Sequence, residues 1–310
     1  MCWQAITQVM RKKVRWPLDK FATDQAEGLR RLLGQGGLQV ITVMSGQRHA
    51  GKTAAVANLA VALTRSGRDV LVLDQDAHGR GVSSALGLRP EHDLADVIAR
   101  RCTLESIILS SHDDVQILPI GGGFEMLGRL SEIEKKMLDQ DFSRLKKSVD
   151  VVLVDTTEDC NPAALPMGLA EAEILVVLSA DAASITQSYG LVKQLSRDFG
   201  KRQFRLLINR AEGAEDAEAI ARNFMHTAEN FLGVSIDYLG FIPNDPLLRR
   251  SGVPHQSVVN ASPIALSTQH FRSLADRLRR WPQAADKSGI GGLLQRLVQG
   301  SQLLSACRRG

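Results

Sequence analysis

From Leu38 onward, short apolar runs alternate along the chain with longer segments whose apolar residues recur every three or four positions. The short runs contain almost no polar side chains, which is typical of parallel strands that helices cover on both faces. Their alternation with helical segments predicts an α/β fold with a mostly parallel sheet between two helical layers. The predicted strands are residues 40–44, 70–73, 115–119, 151–154, 174–178, 205–208 and 238–241, and the predicted helices are residues 53–66, 131–147, 184–198 and 216–232.

Two segments lie outside this alternating pattern. Residues 1–37 form an N-terminal extension that ends in a glycine-rich break, and residues 283–310 follow a Trp-Pro pair. We therefore expect three parts: the extension, one large domain at residues 38–282, and a C-terminal linker with a short helix at residues 283–310.

Composition adds expectations about compartment and partners. The four cysteines have no paired spacing, and the N-terminal order of charged and apolar residues is wrong for a signal peptide. No apolar run approaches the roughly 20 residues that a membrane-spanning helix needs. These features favour a cytoplasmic protein. The net charge of +4 is concentrated near the chain ends, where the basic residues are either solvated or in contact with acidic lipid headgroups or nucleic acid.

The loop after the first predicted strand carries the clearest chemical signal. Its sequence, SGQRHAGKT, has the pattern Gly46-x₄-Gly51-Lys52-Thr53 between a strand and a helix, the context that a phosphate-binding P-loop requires. Glycines let backbone N–H groups converge on phosphates, while Lys52 supplies positive charge and Thr53 a Mg²⁺ ligand. An ordinary glycine-containing turn is the alternative. The predicted contacts of ATP or ADP in this loop are Gly46, His49, Ala50, Gly51, Lys52, Thr53 and Ala54.

Acidic residues at the ends of two other predicted strands complete a predicted metal site. Asp155 follows the run VVLV, at the carboxyl edge where ligands bind in open α/β sheets. The sequence LVLDQD places Asp74 and Asp76 at the same edge, and an extended chain would point both in the same direction. Such a pair is otherwise a turn or a helix cap. Beside a P-loop, we expect Thr53, Asp76 and Asp155 to surround Mg²⁺, with Asp155 acting through water.

Several segments together resemble the deviant-Walker ATPases that include MinD and ParA. They are the P-loop, LDQD, VVLVDTTED, LLINR and GFIPND, and they span most of the predicted domain. The resemblance implies a P-loop NTPase fold and a homodimer that forms with ATP and hydrolyses it slowly. It also implies that Asp76 positions or activates the attacking water and that Lys52 acts in catalysis. Asn209 would hydrogen-bond adenine, with Pro243 and Asp245 along the base.

Within that group, the chain is most similar to the flagellar-number regulators FlhG and FleN. Three segments carry this similarity: DQAEGLR from Asp24 to Arg30, SADAASITQSYGLVK, and GFIPNDPLLRRS. In that family, a DQAxxLR segment is associated with stimulating the GTPase FlhF, so the resemblance implies an FlhF-type partner. The alternative is an amphipathic helix that only packs on the core. A flagellar transcription activator or a component of the flagellar switch complex is a further candidate partner.

The phosphate loop departs from the group's GKGGxGKT pattern. Gln47 replaces a lysine that normally reaches across the dimer to the partner's phosphates, and Arg48 and His49 replace two glycines. A neutral amide does not neutralise transition-state charge, although Arg48 offers a charge from a different geometry. Gln47 and Arg48 thus complete the candidate catalytic set. The two substitutions for glycine also narrow the permitted backbone conformations, so ATP binding is better supported than hydrolysis.

Two classes of function follow from these features. One is a weak ATPase that dimerises with ATP and acts as a switch for flagellar number or placement. The other is a nucleotide-binding scaffold that does not hydrolyse ATP and regulates a GTPase or an activator by contact. Gln47 favours the scaffold, whereas the P-loop lysine and the strand-end carboxylates favour the ATPase. A chromosome- or septum-positioning ATPase is a third alternative, but basic surface candidates are weak, so nucleic acid is not an expected partner.

The tail has the pattern of an amphipathic helix, with arginines nearby. We expect residues 289–310 to bind anionic lipids and to bring the cytoplasmic protein to the inner face of the cell membrane, including its poles. The position matches the membrane-targeting helix of MinD and FlhG relatives. The alternative is a helix packed on its own domain, since three glycines weaken it in isolation. The apolar face consists of Ile290, Leu293, Leu294, Leu297, Val298 and Leu304.

Overall fold

The computed structural model describes residues 38–76, 80–145, 149–157, 173–251, 256–281 and 289–307. Several stretches discussed above lie outside the described residues, among them residues 1–37 with DQAEGLR, the last two residues of VVLVDTTED, residues 283–288 of the linker, and residues 308–310 of the tail.

An eight-stranded sheet forms the middle layer, in the order β3-β4-β2-β5-β1-β6-β7-β8. Neighbouring strands are parallel throughout, except for a two-residue antiparallel pairing of β3 with β4 at one edge. The predicted mostly parallel sheet is confirmed. The strands are β1 Gln39–Met44, β2 Val70–Asp74, β3 Leu109–Ser110, β4 Gln116–Pro119, β5 Val151–Asp155, β6 Glu173–Ser179, β7 Gln203–Ala211 and β8 Ser235–Pro243.

Helices cover both faces of this sheet. Successive strand side chains point to opposite faces, and Ile41 and Val43 accordingly pack in one cluster, with α1, α2, α10 and α11, whereas Val40 packs in another. The opposite face is covered by α3 to α6 and α12 over one half and by α7 and α8 over the other. The helices are α1 Lys52–Arg65, α2 Val82–Ala85, α3 Leu94–Ile98, α4 Leu104–Ile107, α5 Gly123–Leu127, α6 Glu132–Ser143, α7 Ala182–Phe199, α8 Ala214–Leu232, α9 Pro246–Ser251, α10 Val258–Ala261, α11 Leu266–Arg279 and α12 Gly289–Cys307.

Every predicted strand and helix overlaps an observed one, but some boundaries differ. The helix predicted at residues 131–147 begins with a capping box, in which Ser131 and Glu134 satisfy each other's backbone N–H groups, and ends at Ser143. The sequence analysis does not predict β3, which is only two residues long, or the short helices α2 to α5, α9 and α10. It also misses α11, whose buried residues lie against α1 and β8. A two-residue strand has no periodicity to detect.

The predicted helix at the tail is present as α12, and its apolar side packs on the domain. Leu293, Leu294, Leu297 and Val298 are buried in the cluster that also contains residues of β2, β5, α5 and α6. Each such side chain contributes about 1.5–3 kcal/mol relative to exposure in water. The helix therefore cannot leave the domain for water without another apolar surface to receive these side chains.

In this structure the domain covers the apolar face of the tail, and binding of the tail to a membrane stays a prediction. The arrangement is the alternative named above, a helix packed against its own domain. None of the helices among the described residues has the length and hydropathy to cross a bilayer.

One close contact fixes α12 against α5. The Ser301 hydroxyl accepts a hydrogen bond from the Gly128 N–H at 2.7 Å, at the C-terminal end of α5. A Cβ at Gly128 would lie 2.7 Å from Ser301 Oγ and 2.9 Å from its carbonyl carbon and oxygen. Gly128 has φ −68°, a value that any residue adopts, so the constraint at this position is close packing and not backbone conformation.

We expect Gly128→Ala to destabilise the protein by about 1–3 kcal/mol, because the added methyl overlaps the backbone of α12. Urea unfolding measures the change, and faster amide exchange in residues 289–302 locates it. Gly122→Ala is the matched control, since a Cβ there meets no atom within 4 Å and φ is −69°. Equal stability of the two variants would contradict the close packing of α12 on α5.

Candidate nucleotide-binding site

The predicted P-loop joins the end of β1 to the start of α1. Gly51 precedes Lys52 as the N-cap of α1, with φ +87° and no capping side chain, and the first turn of the helix contains no acidic residue. Backbone N–H groups at a helix N-terminus carry a partial positive charge. This end of α1 is therefore suited to an anion, with no carboxylate in its own first turn to compete.

His49 takes a backbone conformation that glycine usually supplies. Its φ of +61° lies in the left-handed region, where histidine is found more often than most residues. The conformation costs about 1–2 kcal/mol for an L-residue. The loop keeps a glycine-like conformation at this position despite the substitution.

The two glycines of the motif are required by close packing. A Cβ at Gly46 would overlap the backbone of Gln187 and Ser188 in α7, and a Cβ at Gly51 would overlap the side-chain amide of Asn209. The loop thus lies directly against α7 and the end of β7. Its shape is set by these neighbours as well as by its own sequence.

Lys52, Thr53 and Asp155 meet at the carboxyl ends of β1 and β5. Lys52 Nζ forms an ion pair with Asp155 Oδ1 and also donates to the Thr156 carbonyl oxygen. Thr53 Oγ1 donates to Asp155 Oδ2 at 2.9 Å. Lys52 and Asp155 are both buried, at 4% and 2% exposed, so each compensates the other's charge where water cannot.

Asp74 is a second buried carboxylate at this edge, directly beside Asp155 in the β2–β5 register. Burial raises the pKa of Asp74, and the nearby Asp155 charge adds to this effect. Hydrogen bonds from the Ser83 backbone N–H at 2.8 Å and hydroxyl at 2.7 Å oppose the rise. The carboxylate thereby holds the start of α2 against the end of β2.

The sequence analysis expects Asp74 and Asp76 on one extended segment. The structure shows that they are not. β2 ends at Asp74, whose carboxylate accepts the Asp76 N–H at 3.2 Å in a turn. Asp76 is partly exposed and lies 4.0 Å from Arg80. The predicted roles of Asp76 in water activation and metal binding remain predictions.

Asn209 lies at the loop, at the end of β7. Its Nδ2 donates to the Ala50 carbonyl oxygen at 2.7 Å, and its Oδ1 accepts its neighbour's backbone N–H at 3.0 Å. This arrangement stabilises the P-loop backbone, a role that the sequence reading did not assign beside the predicted adenine contact. Arg210 follows with φ +58°, and its guanidinium lies 4.0 Å from where a Gly51 Cβ would be. The sequence analysis does not name Arg210 as a neighbour of the loop. The one sequence signal for it is its position directly after Asn209.

The other two residues predicted to contact the base lie at the end of β8. Pro243 is paired with Ala211 of β7. Asp245 accepts the Leu247 N–H at 2.8 Å and both the Ser267 N–H at 3.1 Å and hydroxyl at 2.6 Å. Burial acts to raise the pKa of Asp245, but these hydrogen bonds outweigh it and hold the pKa below its usual value. Both carboxylate oxygens are thus committed to α9 and α11, which favours a structural role.

The remaining predicted residues of the loop differ in exposure. Arg48 and His49 are exposed and Gln47 is partly exposed, whereas Ala50 is buried. The Gln47 carbonyl accepts from Ser45 Oγ at 3.1 Å. Ala54 is exposed in the first turn of α1.

The residues present fit a nucleotide with Mg²⁺. The Thr53 hydroxyl and the Asp155 carboxylate are hydrogen-bonded to each other. Both are oxygen ligands of the kind that Mg²⁺ prefers. Among the described residues no group of three or more His, Cys, Asp or Glu side chains could hold a metal by itself. Mg²⁺ in proteins usually keeps several waters and is held partly by phosphate.

Comparisons with known proteins identify a family and several relatives. The family described as the CobQ/CobB/MinD/ParA nucleotide binding domain matches residues 41–258. The antiactivator FleN of Pseudomonas aeruginosa is 34% identical over 263 residues, which are 84% of this chain and 94% of FleN. The flagellum site-determining protein YlxH of Helicobacter pylori is 25% identical over 272 residues, 86% of this chain and 91% of YlxH.

Solved structures share the architecture. The septum site-determining protein MinD from Pyrococcus horikoshii, complexed with Mg-ADP, has a TM-score of 0.60 and 25% identity, over 78% of this chain and 96% of that one. MinD from Aquifex aeolicus has a TM-score of 0.59 and 22% identity, over 79% and 98%. The P-loop NTPase fold predicted from the sequence is confirmed.

Asn209 has two candidate roles, support of the P-loop and contact with adenine. Inorganic pyrophosphate, which has no base, distinguishes between them. We expect Asn209→Ala to weaken ADP and inorganic pyrophosphate equally, by about five- to tenfold, because the loss of the bond to Ala50 loosens the loop that holds the phosphates. Calorimetric titration measures both affinities. Asn230→Ala, which removes only an exposed contact with His226 in α8, is the control. A loss confined to ADP would instead support the predicted adenine contact.

Proposed function

Because the chain belongs to the CobQ/CobB/MinD/ParA family of nucleotide-binding proteins, we propose that it is an ATP- and Mg²⁺-dependent regulator of flagellar number or placement. The observation that carries the nucleotide part is the meeting of Lys52, Thr53 and Asp155 below a P-loop. ATP in this site would supply a γ-phosphate whose presence or absence distinguishes two states of the protein.

The chain's own residues have distinct parts in this proposal. Lys52 is the cation for the β- and γ-phosphates, and the backbone N–H groups of the loop surround them. Thr53 and Asp155 would hold Mg²⁺, Asp155 through water, and Asp76 would position or activate the attacking water. The phosphates would compete with Asp155 and the Thr156 carbonyl for Lys52, since both groups hold its ammonium in this structure.

The flagellar part of the proposal rests on the relatives. FleN is named an antiactivator and YlxH a flagellum site-determining protein, and both are matched over more than nine-tenths of their length. We infer a homodimer that forms with ATP, as the resemblance to MinD and ParA implies. We also infer an FlhF-type GTPase as a partner of the DQAEGLR segment, with a flagellar transcription activator or a switch-complex component as a further partner.

Hydrolysis is the part of the proposal that the loop supports least. Gln47 stands where relatives carry the lysine that acts across the dimer, and an amide has no charge for the transition state. The second candidate function is therefore a nucleotide-binding scaffold that regulates by contact without turnover. Arg48, exposed beside Gln47, is the nearest cation in sequence for a slow ATPase.

Membrane association of this protein would require α12 to rearrange. Its buried leucines are held by the domain in this structure, so binding of anionic lipids through residues 289–310 would require the helix to undock. A bilayer interface would then bury the same side chains.

We expect Lys52→Met to weaken Mg-ATP binding by at least about tenfold, because the triphosphate loses its nearest cation. Calorimetric titration measures the affinity, and Lys135→Met, on an exposed pair with Glu132, is the control. Lys52→Met also leaves Asp155 without its cation, which could destabilise the protein. Two substitutions at Thr53 that keep this ion pair are therefore measured as well. Thr53→Ala should weaken Mg-ATP binding, whereas Thr53→Ser keeps the hydroxyl and should retain it. Undiminished affinity in Lys52→Met would reject the site.

The partner prediction is tested with a peptide. A peptide of residues 21–33 should raise the rate of GTP hydrolysis by an FlhF-type GTPase, since the proposed DQAEGLR contact lies within it. A peptide with the same residues in scrambled order is the control. The intact protein should stimulate equally with and without ATP. No stimulation by either peptide or intact protein would leave the segment with a packing role alone.

A further inference from the structure

The peptide group between Thr156 and Thr157 is held at both of its polar atoms. The Thr156 carbonyl oxygen accepts a hydrogen bond from Lys52 Nζ, and the Thr157 N–H donates to Gln75 Oε1 at 3.2 Å. The Thr156 hydroxyl also donates to the Val43 carbonyl at 3.0 Å. One peptide group just beyond β5 therefore connects the P-loop lysine to the turn that follows β2.

The geometry of a trans peptide determines which way its N–H points. In a planar trans peptide the C=O and N–H bonds point in opposite directions, and the described residues contain no cis peptide bond. Since the carbonyl of Thr156 faces the ammonium of Lys52, the N–H of Thr157 faces away from it. That N–H is thus turned away from the cation that would meet the phosphates.

Gln75 is well placed to keep the peptide in this orientation. Its side chain is buried, with 7% of the residue exposed. Its own backbone N–H donates to the Asp155 carbonyl at 3.2 Å, which ties the turn after β2 to the end of β5. Gln75 lies between Asp74 and Asp76 in the sequence, and its amide oxygen is a neutral acceptor that takes the N–H without adding negative charge.

If the Lys52 ammonium binds phosphates instead, the Thr156 carbonyl oxygen loses its hydrogen-bond donor. The carbonyl oxygen would then face an anion, which is unfavourable, while rotation of the peptide would direct the Thr157 N–H toward the phosphate side. Loops at this edge of P-loop NTPases respond to the γ-phosphate in particular. The rotation requires the N–H to leave Gln75, so the bond to Gln75 opposes the triphosphate state.

We propose that Gln75 is a positioning residue that lowers the preference of this site for ATP over ADP by holding the Thr157 N–H away from the γ-phosphate position. The inference rests on the proposed nucleotide function and names a residue that discriminates between the two nucleotides. A purely structural Gln75 would instead fasten β2 to β5 and affect both nucleotides alike.

The test measures the ratio of two affinities. The Mg²⁺ complexes of ADP and of the non-hydrolysable analogue adenylyl imidodiphosphate are titrated calorimetrically into wild type and Gln75→Leu, which has similar volume but no acceptor. The analogue affinity should rise relative to the ADP affinity by about five- to tenfold, the value of one hydrogen bond. Gln75→Asn, one methylene too short to keep the bond, should behave like Gln75→Leu.

A matched control and a nucleotide-free measurement accompany the titrations. Gln39→Leu makes the same change at another buried glutamine, at the opposite end of β1 from the P-loop, and should leave the affinity ratio unchanged. In the nucleotide-free protein, the Thr157 amide should exchange its hydrogen faster in Gln75→Leu than in wild type.

The outcomes separate the inference from the proposed function. An unchanged ratio in folded Gln75→Leu, with both nucleotides still bound, would overturn the inference and leave the nucleotide function standing. An equal loss for both nucleotides would assign Gln75 a structural role and also overturn the inference. If wild type binds neither nucleotide, the proposed function fails and the inference falls with it.

Discussion

The nucleotide site depends on one buried carboxylate, Asp155. A carboxylate that is 2% exposed needs partners for its charge, since removing one member of a buried pair costs about 3–5 kcal/mol. Lys52 supplies the opposite charge and Thr53 a hydrogen bond, so the first turn of α1 is held to the end of β5. The phosphates and Mg²⁺ would therefore exchange partners with groups that already satisfy one another, and the net affinity depends on small differences such as the bond at Gln75.

The order of the strands explains how distant segments reach this carboxylate. β5 lies between β2 and β1, so the ends of all three strands meet at one edge. β7 is two strands beyond β1, and Asn209 at its end contacts the loop at Ala50. The loop is thus supported by β7 and α7, while the carboxylates are supplied by β2 and β5. Residues more than 100 positions apart in the chain form one site because parallel strands end at the same side of the sheet.

The sequence predicted the parts of this protein that local periodicity and spacing determine. Apolar strands, the P-loop, and Asp155 directly after VVLV could be placed because each is a short-range pattern. The partners of Asp74 and Asp245 could not, since Ser83 and Ser267 are common surface residues until the fold brings them to a buried carboxylate. The role of α12 was also ambiguous, because an apolar helical face looks the same whether lipid or the protein's own core covers it. Here Ser301 and Gly128 provide the specific contact, and neither residue has periodicity that would reveal it.

Charge explains why a neutral side chain suits the position between Asp74 and Asp76. The buried carboxylates of Asp74 and Asp155 already lie side by side, and their proximity contributes to the raised pKa of Asp74. A third buried carboxylate at position 75 would accept the Thr157 N–H equally well but would add repulsion in a region of low dielectric constant. It would also repel a triphosphate directly. An amide accepts the hydrogen bond without repelling the carboxylates or the triphosphate. Its effect on the Thr157 N–H is therefore one hydrogen bond, which a ligand of ordinary affinity can break.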